Sequence, residues 1–217
     1  MKKYYIFILT AIILAVFATG CGASEAAVVD PSTYEKIITK LSEMETYRSE
    51  ASVQYISNKN SNTYRVIQYN KMSGEYRIEV ISPEQSAGNV TVFDGTTISQ
   101  FNKRNEGRIF VLAREDMARS EILVTSFIRN YLDSTETSVS VGSFDNGKCT
   151  VLEVSLPGEH PYLATAKLWV DNKDLVPVKL VIYDSEGGER IVVIYENFEY
   201  NVELANDIFH VETNEEV

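Results

Sequence analysis

Apolar and polar positions change rhythm along this chain, and the changes divide it into segments. From Tyr4 to Ala18 the residues are apolar apart from Thr10 and two tyrosine hydroxyls. Further on, Tyr34, Ile37, Ile38, Leu41 and Met44 recur at the spacing of one helix face. The opposite side carries Glu35, Lys36, Lys40, Ser42 and Glu43, without the basic excess that would suit anionic lipid, so the stripe predicts core packing. Asp30-Pro31-Ser32-Thr33-Tyr34-Glu35 supplies the helix start: proline suits the first helical position, and Ser32 with Glu35 has capping-box spacing.

From Ser49 the period becomes two. Ala51, Val53, Tyr55 and then Tyr64, Val66 alternate with polar residues around a turn at 58–61. Tyr76, Ile78 and Val80 continue the pattern, and the strands at 89–93 and 96–101 flank Asp94-Gly95, a strong hairpin signal. Residues 108–112 close this half. A second helix is predicted over Arg114 to Leu132, with Met117, Val124, Phe127, Ile128 and Tyr131 as its apolar face, widened by Leu123 and Leu132. Strands near 138–144, 148–156, 163–171, 175–183 and 189–199 follow, separated by turns at 145–147, 171–172 and 185–188.

This order predicts an α+β chain, mainly β: one curved antiparallel sheet of roughly ten strands, forming an incomplete barrel capped by two or more helices. The 13 Tyr and 9 Phe, beside many Val, Ile and Thr, favour strands as well. With 217 residues, 44% hydrophobic and 24% charged, the chain can bury one real core. Its formal charge of -11 excludes broad binding to a phosphate backbone, so no nucleic acid is expected.

Lys2 and Lys3 precede the apolar leader, which at 1.5 Å per residue is about 22 Å long, short of a bilayer core of about 30 Å. A cleaved signal over residues 1–20 is therefore preferred. Ala18-Thr19-Gly20-Cys21 matches the lipobox of bacterial lipoproteins, with Ala18 where leucine is usual, and makes Cys21 the lipid attachment point. Acyl chains on Cys21 would anchor the chain stably outside the cytoplasm. Residues 21–31 then read as a flexible tether and 32–217 as one folded domain. With Cys21 acylated, Cys149 has no partner within the chain and reads as a buried, inert strand thiol.

Residues that carry chemistry are sparse. His160 and His210 stand in unrelated contexts, and no cluster has metal-ligand spacing, so neither a metal nor another cofactor is expected. Nucleophile elbows, phosphate loops and dinucleotide fingerprints are missing. Acidic pairs such as Glu115-Asp116 and Glu215-Glu216 read as solvated surface. A binding module is the expectation, not an enzyme.

Several segments carry a family resemblance. The helix ending Leu41-Ser-Glu-Met-Glu-Thr-Tyr47, the run Met72-Ser-Gly-Glu-Tyr-Arg-Ile-Glu-Val80 with Pro83 after it, and Val92-Phe-Asp-Gly-Thr-Thr97 resemble the LolA/LolB-like lipoprotein-localisation family. So do Ala166-Lys-Leu-Trp-Val-Asp-Asn172 with Leu175-Val-Pro-Val-Lys179, and the closing Phe198-Glu-Tyr-Asn201 and Ile208-Phe209. Within that family the pattern looks most like the germination lipoproteins of spore formers. The resemblance implies a partner, the secreted cortex N-acetylmuramoyl-L-alanine amidase CwlD, whose activity needs the lipoprotein for muramic-lactam formation. It implies a location in the spore envelope, in the forespore intermembrane space. A sheet with open edges could also exchange a strand with a second copy. The alternative on the same fold is a lipid or lipoprotein carrier or sensor, with the inward Tyr, Phe, Val and Ile lining an acyl pocket instead of a packed core.

Overall fold

The computed structural model describes residues 28–103, 109–112, 120–158 and 160–210, with the side chains of 109–112 and Asn206 left aside. Its centre is β1 (Thr46–Ile56), flanked by β2 (Ser61–Lys71) and by the last strand, β11 (Glu189–Tyr200). From β1 the chain steps outward through β3 (Tyr76–Ser82), β4 (Val90–Phe93) and β5 (Ile98–Phe101) to β6 (Ile109–Leu112). It restarts at the far edge with β7 (Thr137–Phe144) and returns through β8 (Gly147–Ser155), β9 (Thr165–Asp171) and β10 (Pro177–Tyr183). All eleven strands form one antiparallel sheet, and its edges, β6 and β7, do not close on each other. The expected incomplete barrel is what forms.

Register follows the alternation. Across the sheet, Val53 faces Val193 and Tyr64, Leu180 faces Leu168, and Leu152 faces Leu168 from the other side. These residues share the inner face, where they join one hydrophobic core. The outer face instead carries ion pairs such as Arg48–Glu199 and Arg65–Glu196, each at 3.1 Å. Such exposed pairs contribute little stability, so the inner core holds the fold.

Helix α1 (Pro31–Ser42) lies on that core through Ile37 and Leu41, followed by the buried Met44. Tyr34 and Ile38 pack at its margin. Its cap differs from the expected one. Asp30, not Ser32 with Glu35, is the N-cap residue, and its carboxylate accepts the Ser32 and Thr33 amides. With Pro31 at the first helical position the capping frame starts two residues earlier than the Ser-x-x-Glu spacing implied.

Helix α2 covers only Val124–Asp133, after a 3₁₀ turn at Ser120–Ile122. The expected start at Arg114, Met117 and the pair Glu115-Asp116 lie outside the described residues, as does Glu215-Glu216. Leu123, Val124, Phe127 and Ile128 are buried as the spacing predicts. Leu132 is not: it is 55% exposed, one turn beyond the part of the helix that the sheet covers. The hydroxyls of Tyr34 and Tyr131, 3.2 Å apart, link the two helices.

Candidate functional site

Cys21 lies outside the described residues. Cys149 is buried in β8, and burial first, then the nearby Asp171, raises its thiol above the ordinary value, so it stays a thiol. His160 sits in the loop before β9 and His210 follows the closing 3₁₀ turn; both are exposed. Among the described residues no group of three or more His, Cys, Asp or Glu could hold a metal. The inner face has two unlike regions instead, and a third surface lies at the sheet's edge.

The first region is sealed by α2, and it is polar inside. The Tyr47 hydroxyl donates to Gln68 Oε1 at 2.9 Å and accepts the Val124 N–H at 3.3 Å. Gln68 Nε2 donates to the Ile122 carbonyl at 3.4 Å, and the Tyr195 hydroxyl donates to the same oxygen at 2.9 Å. Beside them the Thr125 hydroxyl donates to Asn70 Oδ1. Burial drives the Tyr47 and Tyr195 hydroxyls far above their ordinary pKa, so both remain neutral donors. The arrangement solves a local problem. Leu123 occupies the N-cap position and has no side chain able to cap, so a tyrosine from β1 supplies the acceptor that the helix start lacks.

The second region is open. Beyond Ile122 the same strands line a trough of about 470 Å³, with Val53, Tyr55, Tyr64, Val66, Ile78 and Val80 on one side. Val90 and Phe101 continue the apolar wall, and Asn89, Thr91, Gln100 and Asn102 supply amides and a hydroxyl. The inward Tyr, Val and Ile thus pack as core in the first region and line open space in the second.

The third surface is β7. It pairs with β8 without a register break from Thr137 to Phe144, and its other side is the margin of the sheet. The segment Thr137-Ser-Val-Ser-Val-Gly-Ser-Phe144 contains no charge and no proline. Val139 and Val141 are 40% and 39% exposed, and Leu132 stands nearby beside Leu152, the residue opposite Val139. Sheet edges are ordinarily protected by lysine, proline, a bulge or a cover. Here three of the six large hydrophobic side chains exposed among the described residues gather beside a straight, neutral edge. Gly142 keeps that edge close: a Cβ there would stand 2.6 Å from Val151 Cγ2 and 3.1 Å from Trp169 Nε1. The neutral composition of this segment was readable in the sequence; its position at the margin was not.

No helix among the described residues is long and apolar enough to cross a membrane. No curated protein matches the chain. An uncharacterized conserved protein from Thermus thermophilus superposes with a TM-score of 0.55 at 11% identity, over 84% of this chain and 96% of that one. The LolA superfamily protein NE2245 from Nitrosomonas europaea matches at 15% identity and a TM-score of 0.46, over 85% and 99%. A chain from the structure of the Clostridioides difficile CwlD amidase in complex with the GerS lipoprotein matches at 28% identity and a TM-score of 0.49, over 82% and 99%. The likeness to the Thermus thermophilus protein shows a shared fold. A model of the sporulation proteins similar to YdcC matches residues 1–209, and the chain belongs to that family.

Proposed function

We propose that this protein is a lipid-anchored, non-enzymatic sporulation lipoprotein that binds a cortex peptidoglycan amidase of the CwlD type and activates it. Residues 1–20 are the secretion signal in this reading, Cys21 carries the acyl chains, and 32–217 form the working domain. The anchor holds it on the extracytoplasmic face of the membrane, in the forespore intermembrane space, where tethering raises the local concentration of a soluble amidase. Membership of a sporulation family supports the process. The partner itself rests on the sequence resemblance.

The observation that carries the binding reading is the β7 edge. Its outer amides and carbonyls, which no strand among the described residues pairs, can accept a partner strand, with Val139, Val141 and Leu132 meeting apolar side chains. A partner that binds only the folded, metal-loaded amidase stabilises that form by mass action. The test mixes the full-length acylated protein with purified amidase and measures complex formation, amidase turnover and zinc affinity. Val141→Lys places a charge on the edge and is expected to abolish all three effects while the fold persists. Wild-type binding and activation by this variant would overturn the reading. If Val141→Lys changes only the mass of the lipoprotein itself, the edge serves a second copy exchanging a strand, and the amidase assignment to β7 is wrong.

The open trough favours a second reading, a lipid or lipoprotein carrier or sensor. Its volume of about 470 Å³ falls in the range of small-ligand sites, roughly 300–1,000 Å³. Native mass spectrometry separates the two: copurifying lipid, displaced in Val80→Trp, indicates the carrier.

A further inference from the structure

Two loops and the start of β11 meet at the far end of β1, and the hollow between them belongs to neither the β7 edge nor the trough. The β1–β2 turn contributes Ile56, Ser57, Asn58, Lys59 and Asn60; the loop before β9 contributes His160, Tyr162 and Leu163; β11 contributes Arg190. The hollow measures about 540 Å³, a small-ligand size.

Arg190 organises it. Only 19% of its side chain is exposed, and Nε donates to Asp184 Oδ2 at 2.6 Å while Nη1 donates to Asn58 Oδ1 at 2.6 Å. Asp184 also accepts the Glu186 and Gly188 amides, at 3.0 and 2.7 Å, so the turn before β11 is tied to the same ion pair. The guanidinium carbon lies 5.0 Å from the centre of the Tyr162 ring, which is 51% exposed. A half-exposed aromatic ring thus has over one face a cation that is itself fixed twice. Beside the plate, His160 Nδ1 accepts the Tyr162 N–H at 3.3 Å, which leaves the ring proton on Nε2. Rigid placement of this kind lowers the ordering cost of binding.

The chemistry around the plate is selective. Asn58, Asn60 and Ser57 supply amides and a hydroxyl, Lys59 supplies positive charge beside the Arg190–Asp184 pair, and none of the described lining residues is acidic. That is a local inversion in a chain with a net charge of -11. A pyranose ring presents weakly positive C–H bonds to the negative face of an aromatic ring, while its rim of hydroxyl and acetamido groups needs hydrogen-bonding partners. A carboxylate on that sugar would meet Lys59. We propose that this hollow binds an acidic, N-acetylated saccharide chain, with Tyr162 as the stacking plate and Lys59 as the charge partner. The site stands apart from the amidase reading, which supplies only the choice of probe.

Sedimentation with purified peptidoglycan sacculi tests it, using the full-length acylated protein in nanodiscs, with chitin as the neutral N-acetylated comparison. Wild-type protein is expected to pellet with sacculi more than with chitin. Tyr162→Ala is expected to lower the fraction bound to sacculi about tenfold and Lys59→Glu several-fold, with melting temperatures unchanged. Val141→Lys, which alters only the distant edge, is expected to pellet like wild type whether or not the amidase reading holds. The proposal is overturned if wild-type protein stays in the supernatant, or if both hollow variants pellet normally. It is equally overturned if Tyr162→Ala keeps sacculus binding and loses amidase binding, since the plate would then be a protein contact.

Discussion

Tyr47 and Tyr55 stand at opposite ends of β1 on the same inner face, yet they do different things. Tyr47 is fully buried and caps the first turn of α2, while Tyr55 is only partly covered and lines the trough beyond Ile122. The strand treats both ends alike; the cover does not. Where α2 lies on the sheet, every polar group it brings must find a partner, and the sheet answers with Tyr47, Gln68 and Tyr195. Where no helix lies, the same alternation leaves an open apolar wall. The sealed region is therefore committed to stability, and the trough stays open.

This contrast can be broken from its strong side first. Leu41→Ala removes a buried side chain between α1 and the sheet and is expected to cost about 2–5 kcal/mol in chemical denaturation. Val80→Ala, on the trough wall, should cost about 1 kcal/mol. Equal losses would mean that the trough is as tightly packed as the sealed region.

Tyr47→Phe keeps the ring and removes one hydroxyl, leaving the Val124 amide and Gln68 Oε1 short of a partner. A loss of about 1–3 kcal/mol is expected, with faster hydrogen exchange at the start of α2. Unchanged exchange there would show that the helix start does not depend on β1.

A third expectation concerns acid. The Gly188 amide above all, with Arg190 and the Glu186 amide, holds the Asp184 carboxyl below its ordinary 3.8. A carboxyl lowered in the folded state stabilises at pH above its unfolded value, and that contribution disappears as pH falls through the lowered folded value. Melting temperature should therefore drop on the acid side below about pH 4, and Asp184→Asn should flatten that limb while lowering stability at neutral pH. An identical acid limb in the variant would remove Asp184 from the explanation.

The smallest stability effect belongs to the edge. Val141→Lys is expected to change unfolding free energy by no more than about 0.5 kcal/mol, because the side chain is already 39% exposed. Its effect on partner binding is expected to be large by comparison, and that separation would distinguish a contact surface from a packed one.

Much of this architecture was legible in the alternation itself. The strands at 76–82, 90–93 and 98–101 and the Asp94-Gly95 hairpin form where the period predicts, with Gly95 at φ 96°. At 145–147 the turn works through Asp145 and Asn146, both at positive φ, which these short polar side chains tolerate. The first helix kept its predicted face but not its cap, since Asp30, accepting the Ser32 and Thr33 amides, takes the capping role expected of Ser32 with Glu35. The second helix was harder to bound. Its first amide is capped from β1, 77 residues away, so no local signal marks the start at Val124.

The sequence by itself determined which residues alternate, which face of each element is apolar and where the tight turns fall. Those properties depend on neighbours a few positions apart. Tertiary structure alone decided that β7 is an edge, that Leu132 is exposed, and that Arg190, Asn58 and Tyr162 meet. Each depends on the order of strands across the sheet, and a strand's own residues read the same whether its outer side faces another strand or water.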